Sequence, residues 1–400
     1  MSEKRNKGAK SGWRSVKFGD VVRQCKEKTD PETSGLERYV AGDHMDTDDL
    51  RLRRWGEIGS GYLGPAFHIR FKPGQVLYGS RRTYLRKVAV SDFEGICANT
   101  TFVLEPKNAE ELLPEFLPFL MQSEGFNEFS VKNSKGSVNP YINFSDLERF
   151  EFLLPPITEQ RAIVDILQVS RAAADAQSHA LKNLETLRKS TIDDLQRIPE
   201  GGIPVQLGQV VTMQNGRPFP GDEYADEGVK LLRPGNLSGS GYLSWTREKT
   251  VCLDPKWQMA ASDFLIHPGD VVINLTAQSL EEGFMGRVCL AREGDESLLN
   301  QRIGRFCCNE NVIRPEFLLR SLQTSRFRRH AHANCEGSKV KHLFWQHLAK
   351  YAIDIPEIAV QDEIIAQCAA IDSAIENLSS RLDSSKYLVA SLTNQILGGE

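Results

Sequence analysis

The chain has 400 residues, 40% of them hydrophobic and 26% charged, with a formal net charge of −4. That length holds two or three domains, and the composition is that of an ordinary globular protein. The acidic balance excludes a protein that holds nucleic acid by bulk positive charge alone, and leaves the work to local basic patches or to a partner that adds to the field. Eight cysteines without a CxxC pair, two of them adjacent at Cys307-Cys308, offer neither zinc spacing nor a disulfide framework and read as reduced thiols. Met1 to Ser11 is polar and Lys-rich with no apolar signal core, and no apolar run reaches membrane-span length. The expectation is a cytoplasmic protein with a frayed N-terminus, not a membrane one.

In chain order, a β-rich stretch runs from about Trp13 to Pro156. Strand-like segments at Val76-Leu77-Tyr78, Val88-Ala89-Val90 and Thr101-Phe102-Val103-Leu104 are separated by turn formers such as Lys72-Pro73-Gly74. Pro114 marks an expected helix start, since proline lacks the N–H that a first turn leaves unpaired, and Glu115 suits the positive end of the dipole. After Pro156 a long helix is expected, with apolar residues at Ile163, Leu167, Ala174, Leu181, Leu184 and Leu195 but interruptions at Ser170, Gln177, Arg188 and Thr191. Arg197 to Pro204, with Gly201-Gly202, reads as a linker. A second β-rich stretch follows, with His267-Pro268-Gly269-Asp270-Val271-Val272-Ile273 at the comparable place. Pro315 marks another helix start. After Pro356, Ile364, Cys368, Ile371, Ile375, Leu378, Leu382, Val389, Leu392 and Ile396 alternate in steps of four and three with one lapse at Ser385. That is a coiled-coil seam.

The halves repeat. Residues 113–195 align without a gap on 314–396 at the offset of 201 that separates Pro114 from Pro315. Pro114-Glu115-Phe116-Leu117 matches Pro315-Glu316-Phe317-Leu318, Gly136-Ser137 matches Gly337-Ser338, and Gln160 falls on Gln361. Val16 and Val22 echo Val205 and Val211 at an offset of only 189, so the second β-rich part contains extra residues. A period this long is a duplicated domain rather than a solenoid. The fold class expected is α+β: two β-rich domains and two long helices in an antiparallel coiled coil, as a pseudo-two-fold internal repeat. A weak and a strong seam in one chain most simply pair with each other, the other reading being that each packs on its own domain. A helix of nearly 40 residues spans roughly 55 Å and would act as a rigid spacer. Two similar surfaces about a pseudo-two-fold suit duplex DNA.

The run LPPITEQRAIVDIL at 154–167 and the run IPEIAVQDEII at 355–365 resemble the lead-ins to the two long helices of type I restriction–modification specificity subunits. PGQVLYGSRRTYLRKVAV at 73–90, PGDVVINLTAQSLEEGFMGRVCLA at 268–291, LLRPGNLSGSGYL at 231–243 and LNQRIGRF at 299–306 resemble pieces of that family's target recognition domains. The resemblance covers nearly the whole chain from about residue 13. It implies a disordered start at 1–12, a target recognition domain at 13–156, a long helix at 157–198, a second recognition domain at 199–356 and a second long helix at 357–400. It further implies that each domain reads one half of a bipartite double-stranded DNA target, that the helices set the gap of unread bases, and that this chain has no catalysis of its own. Partners would be adenine-modifying methyltransferase subunits, two of them expected, with restriction subunits as a further addition. S-adenosylmethionine would sit on the modification subunits, leaving this chain without a cofactor or metal.

Candidate DNA-binding residues follow from their chemistry. Arg81, Arg82, Tyr84 and Arg86 lie in the densest basic cluster of the first domain; Arg and Lys neutralise phosphates, and Arg pairs with two acceptors on guanine. Lys132, Lys135 and Asn139 lie in a polar loop suited to phosphate and base-edge contacts, and the matching place in the second half holds Lys339, Lys341 and His342. Arg217 in Asn215-Gly216-Arg217 and Gln278 in Thr276-Ala277-Gln278-Ser279 are candidate readers. For each, a solvated loop or turn residue is the competing reading. Arg326, Arg328 and Arg329 suit phosphate or a helix C-terminus equally. Seam residues expected in the coiled coil are Ile163, Leu167, Leu181, Leu184, Ile364, Ile371, Ile375, Leu378, Leu382 and Leu392.

Two other functions have less support. Asn139-Pro140-Tyr141 resembles a truncated adenine-methyltransferase signature, but the second proline is missing, and Gly59-Ser60-Gly61-Tyr62-Leu63-Gly64 is a weak match to a cofactor loop. A coiled-coil DNA-binding scaffold of another defence assembly is the remaining alternative.

Overall fold

A computed structural model describes residues 12–195 and 204–397. The expected frayed start at 1–12, except Gly12, and the expected linker, except Pro204, lie outside the described residues. Contacts divide the chain into two units: one holds the residues up to Ser178 together with those from Ser380 onward, the other His179–Ser379.

In the first unit, Arg14–Lys17 pairs antiparallel with Glu151–Leu154, fastening the chain's start to the residues that lead into the first long helix. Strands Val22–Cys25, Thr101–Pro106, Val76–Gly79 and Val88–Val90 form one sheet in that spatial order. Gly56–Glu57, Arg38–Val40, Gly95–Ala98 and Phe67–Phe71 form another, in which the two middle strands run parallel. Side chains on a strand alternate between faces. Val76 and Tyr78 accordingly join one core with Phe18, Leu104, Phe116 and Phe126, while Leu77 joins a second with Val40, Phe71 and Val103.

The second unit repeats this order. Val211–Asn215, Ile303–Cys308, Val271–Asn274 and Val288–Leu290 form the first sheet. Cys252–Leu253, Val229–Leu232, Ser297–Leu299 and Leu265–Ile266 form the second, again with a parallel middle pair. Val271 and Ile273 face one core and Val272 another. Some of the extra residues of the second half lie between the last two strands of the first sheet, where Ser80–Lys87 corresponds to the longer Leu275–Arg287.

The expected helix at Pro315 is present as Pro315–Leu322. Its counterpart begins later, at Leu117, not at Pro114. Phe116 N and Leu117 N both bond back to Leu113 O, but Pro118 has no N–H to bond back to Pro114, so the ladder is interrupted at its next rung.

The two long helices are Ile157–Asp194 and Ile358–Leu397, about 57 and 60 Å at 1.5 Å per residue. The N-terminal part of the first and the C-terminal part of the second belong to one unit; the remaining parts belong to the other. This is an antiparallel pair within an α+β fold. In the first unit Ile163 and Leu167 share a core with Leu392, Ile396 and Leu397. Leu382 is buried, while Leu181, Leu184, Ile364, Ile371, Ile375 and Leu378 are half-buried. The polar interruptions Ser170, Gln177, Arg188 and Thr191 are half-buried on the same stripe.

Both helix starts use the same buried amide. Gln160 accepts from Leu113 N at 2.9 Å and donates to Glu111 O and Pro155 O. Gln361 does the same with Arg314 N, Val312 O and Pro356 O. Both glutamines are fully buried, which is tolerable because every polar atom is satisfied.

Arg188 has a specific reason to sit in a seam. Its Nε donates to Asp372 Oδ1 at 2.5 Å and its Nη2 to Ser240 O at 2.5 Å. Asp372 Oδ2 also accepts from Arg320 at 2.6 Å and from the Tyr242 hydroxyl at 2.7 Å. Asp372 and Arg320 are both buried. Burial opposes ionisation of Asp372, and Tyr242, Arg320 and Arg188 more than offset it, leaving its pKa below the usual carboxylate range.

Asp372→Asn should strand two arginines in a low-dielectric site and cost about 3–5 kcal/mol, read as a lower thermal midpoint. Because the folded-state pKa is depressed, this contribution is full at neutral pH and fades as pH falls through the acidic range below about 4. The gap between wild type and variant should narrow there.

Candidate nucleic-acid interface

In the first unit two loops lie against each other. One follows strand Val76–Gly79. The other follows helix Glu124–Lys132 and is closed by reciprocal main-chain bonds between Lys135 and Tyr141, at 2.7 and 2.9 Å. Ile142 N donates to Ser80 O at 2.9 Å and Arg82 N to Pro140 O at 2.6 Å. Arg82 Nε donates to Asn139 Oδ1 at 2.9 Å, and the Thr83 and Ser134 hydroxyls are 2.9 Å apart. Gly136 turns the closed loop at φ +88, a left-handed conformation natural to glycine.

The second unit builds the same pair. Glu336 and His342 exchange main-chain bonds at 2.8 and 2.7 Å, and Leu343 N donates to Leu275 O at 2.9 Å. Thr276 pairs with His342 and Ala277 with Lys341 as a two-residue ladder. Gly337, at φ +108, turns this loop; a Cβ there would sit 2.2 Å from Val340 O. Buried Asn274 spans the long connection by donating to Thr276 O and Phe284 O, both at 2.8 Å.

The structure therefore brings Arg81, Arg82, Tyr84, Lys135 and Asn139 together in one unit, and Gln278, Lys341 and His342 in the other. Arg81, Arg82, Tyr84, Lys132, Asn139, Gln278, Lys339 and His342 are exposed. His342 stacks on Phe344 with the rings 16° apart. Arg86 is half-buried, held by Asp48, Glu124 and Gln122 O. Arg217 lies beside the other sheet, with its guanidinium 5.3 to 5.8 Å from the rings of Phe219, Trp257 and Phe264. Such stacking accounts for an arginine without a nucleic-acid contact.

The base of the closed loop differs in sign between the units. In the first, Lys135 Nζ bonds to Asp146 Oδ2 at 2.8 Å, and this bond, helped by Asn143 N–H and Arg149, outweighs the opposing effect of burial and leaves the Asp146 pKa below the ordinary value. In the second, Glu336 occupies the lysine's place and His347 the aspartate's, 3.3 Å apart. Lys135 thus spends part of its charge within the fold.

One arginine on this side of the second unit is less apparent from sequence. Arg287 precedes strand Val288–Leu290 and donates to Gly283 O, Leu237 O and Glu282 O. Burial, with neighbouring Arg328, pulls its pKa below the ordinary guanidinium value, and the same two causes lower that of His332. The sequence signal is thin: Arg287 falls where the first half has Lys87. Among the described residues, no cluster of His, Cys, Asp or Glu would hold a metal ion, and no helix is long and apolar enough to cross a membrane.

Residues 10–186 match the profile of the type I restriction modification DNA specificity domain. The chain is 25% identical over 328 residues to the type I restriction enzyme MjaVIII specificity subunit of Methanocaldococcus jannaschii, covering 77% of this chain and 74% of that one. It is 25% identical over 173 residues to the Escherichia coli EcoDI specificity subunit, covering 43% and 38%. In fold it is similar to a chain from a structure of type I restriction–modification complex assembly and conformational transition, with TM-score 0.61, 20% identity and 96% and 97% of the two chains covered. It is likewise similar to the type I S subunit of M. genitalium, with TM-score 0.60, 13% identity and 98% of each chain covered. A recognition domain built twice on a pair of long helices, with polar and basic loops at equivalent places, defines the class: a DNA-specificity subunit. Over residues 10–186 the chain belongs to the type I restriction modification DNA specificity domain family, and over most of its length it is similar to specificity subunits of type I restriction enzymes.

Replacing Arg81 and Arg82 together with alanine should weaken DNA binding and reduce the slope of log affinity against log salt by roughly 1.8, about 0.9 per lost phosphate contact. Titrations at several salt concentrations measure this; unchanged affinity and slope would remove both residues from the interface.

Proposed function

We propose that the two recognition domains read the two halves of a bipartite double-stranded DNA target, and that this chain directs adenine modification without carrying out catalysis. The observation that supports this most is the recurrence of one loop pair in both units, Ser80–Lys87 with Lys135–Tyr141 and Leu275–Arg287 with Glu336–His342. Phosphate contacts from Arg81, Arg82, Lys132, Lys135, Lys339 and Lys341 would position the duplex, and Asn139, Gln278 and His342 would reach base edges. Domain boundaries at 13–156, 157–198, 199–356 and 357–400 go with this reading, as does action in the cytoplasm.

Catalysis would come from modification subunits carrying S-adenosylmethionine, two per complex, with restriction subunits as a further addition. The first long helix offers a face for such a subunit. Ala162, Ile166, Val169, Ala173 and Ala176 recur in steps of four and three on its outward side, and Ile166 and Val169 are 51% and 70% exposed. An exposed apolar heptad stripe is the surface that a partner helix covers.

Adenine methylation should be mapped by long-read sequencing in cells with this chain and its modification subunit, and in cells lacking only this chain. A split motif methylated only in the first is the expected result. No chain-dependent methylation, with active partners, would favour a scaffold role. Lengthening both long helices together should change the number of unread bases in the motif. Val169→Glu should weaken co-purification of the modification subunit about tenfold or more, for burial of a carboxylate in a helix interface.

A further inference from the structure

Among the described residues, three other than glycine have a positive φ: Asp48 at 56, Arg82 at 51 and Arg86 at 51. All three belong to one construction. Arg82 and Arg86 bracket the 3-10 turn Thr83–Leu85, so Tyr84 is held between two left-handed residues, with Arg82 the first of them and Arg81 directly before it. Asp48 is the partner of Arg86, at 2.7 Å. Left-handed non-glycine residues are costly and persist where the surroundings over-determine them.

Those surroundings are specific. Arg86 Nη1 donates to Glu124 Oε2 at 2.5 Å, its Nη2 to Gln122 O at 2.8 Å and its Nε to Asp48 Oδ1 at 2.7 Å. Burial disfavours its charge, and Glu124 and Asp48 more than offset that, so its pKa stands above the ordinary value. Each carboxylate-bearing residue is in turn held by a long helix. Asn394, near the end of the second, accepts from Glu124 N at 2.9 Å. Arg171, on the first, donates to Asp48 O at 2.7 Å.

The second unit lacks the strain. The residue two before strand Val288–Leu290 is Gly286, at φ +68, where the first unit has Arg86 two before Val88. Its loop is held instead by Arg287 through three main-chain carbonyls.

We infer that Arg86 is a positioning residue for DNA recognition: it contacts no DNA, and fixes the first domain's reading loop in a strained shape by clamping it to residues held by both long helices. This rests on the DNA-reading role of that loop. The charge of Arg86 is consumed within the clamp, so its removal alters where Arg81, Arg82 and Tyr84 point rather than the number of phosphates neutralised. The second domain serves as an internal control, because its loop has no such clamp.

The test uses the full chain in complex with its modification subunit, and competing oligonucleotides substituted in one half of the mapped target or the other. Arg86→Ala and Arg86→Lys should both reduce discrimination in the first half-site about tenfold or more, the scale of one mismatched base pair. Discrimination in the second half-site and the salt slope should stay unchanged. Glu124→Gln, which keeps side-chain size and the helix start, should shift the same half-site by less. Rescue by Arg86→Lys, with a salt slope reduced by about one in Arg86→Ala, would make Arg86 a phosphate contact and overturn the inference. Equal loss in both half-sites, or no change in either Arg86→Lys or Glu124→Gln, would also overturn it. Unaltered binding by the Arg81→Ala, Arg82→Ala double variant would instead show that the loop does not read DNA.

Discussion

A helix of about forty residues gains a stable place in water by covering an apolar seam along its length. Each long helix here meets the constraint with the other one, and the recognition domains are completed by the result. The first unit's core takes Ile163 and Leu167 from one helix and Leu392 and Leu397 from the other. The short helix Glu124–Lys132 begins against Asn394, and its counterpart Ser325–Ala333 begins against Asp193, which accepts from Ser325 N at 2.7 Å. Asp193 and Asn394 are separated by the repeat offset, so both units use one device, each drawing it from the helix that lies in the other half of the sequence.

Helix pairing by apolar contact alone leaves register loosely specified; polar groups that must find partners sharpen it. Arg188 and Asp372 do this in the second unit. In the first, Arg171 occupies the helix position that Asp372 occupies in the second, and its guanidinium lies 5.8 Å from the ring of Phe119, the counterpart of Arg320. The duplicated position has kept its place against the recognition domain while its charge has been inverted. Position 175 in one helix and 376 in the other stay acidic, and pair with Arg53 and Arg292 at 2.8 Å each.

Much of the frame was legible in the sequence because periodicity and repetition report burial directly. The strands at Val76, Val88 and Thr101, the two long helices and the duplicated order all follow from patterns a few residues long. The start of the helix at Leu117 did not, since Pro114 taken alone marks a start and the rung that Pro118 cannot supply delays it. Arg188 read as a flaw in a seam because its partners are remote in sequence: Asp372, Arg320 and Tyr242 converge only in the folded chain. At the candidate interface, residue type identified Arg81, Arg82, Asn139 and Gln278 as exposed polar groups. It gave no means of separating Arg86, one position in the same basic run, whose charge is taken up by Asp48 and Glu124. A basic run in sequence does not say which of its members face water.

The connection Ser80–Lys87 and its longer counterpart Leu275–Arg287 enter and leave through the same two neighbouring strands. Their ends are fixed by the sheet, so additional residues enlarge the loop at little entropic cost and leave the helix seam untouched. A chain built this way can acquire new residues in one half while the other half keeps its own. Change accumulates where the frame tolerates it, and the duplicated protein is free to vary one part at a time.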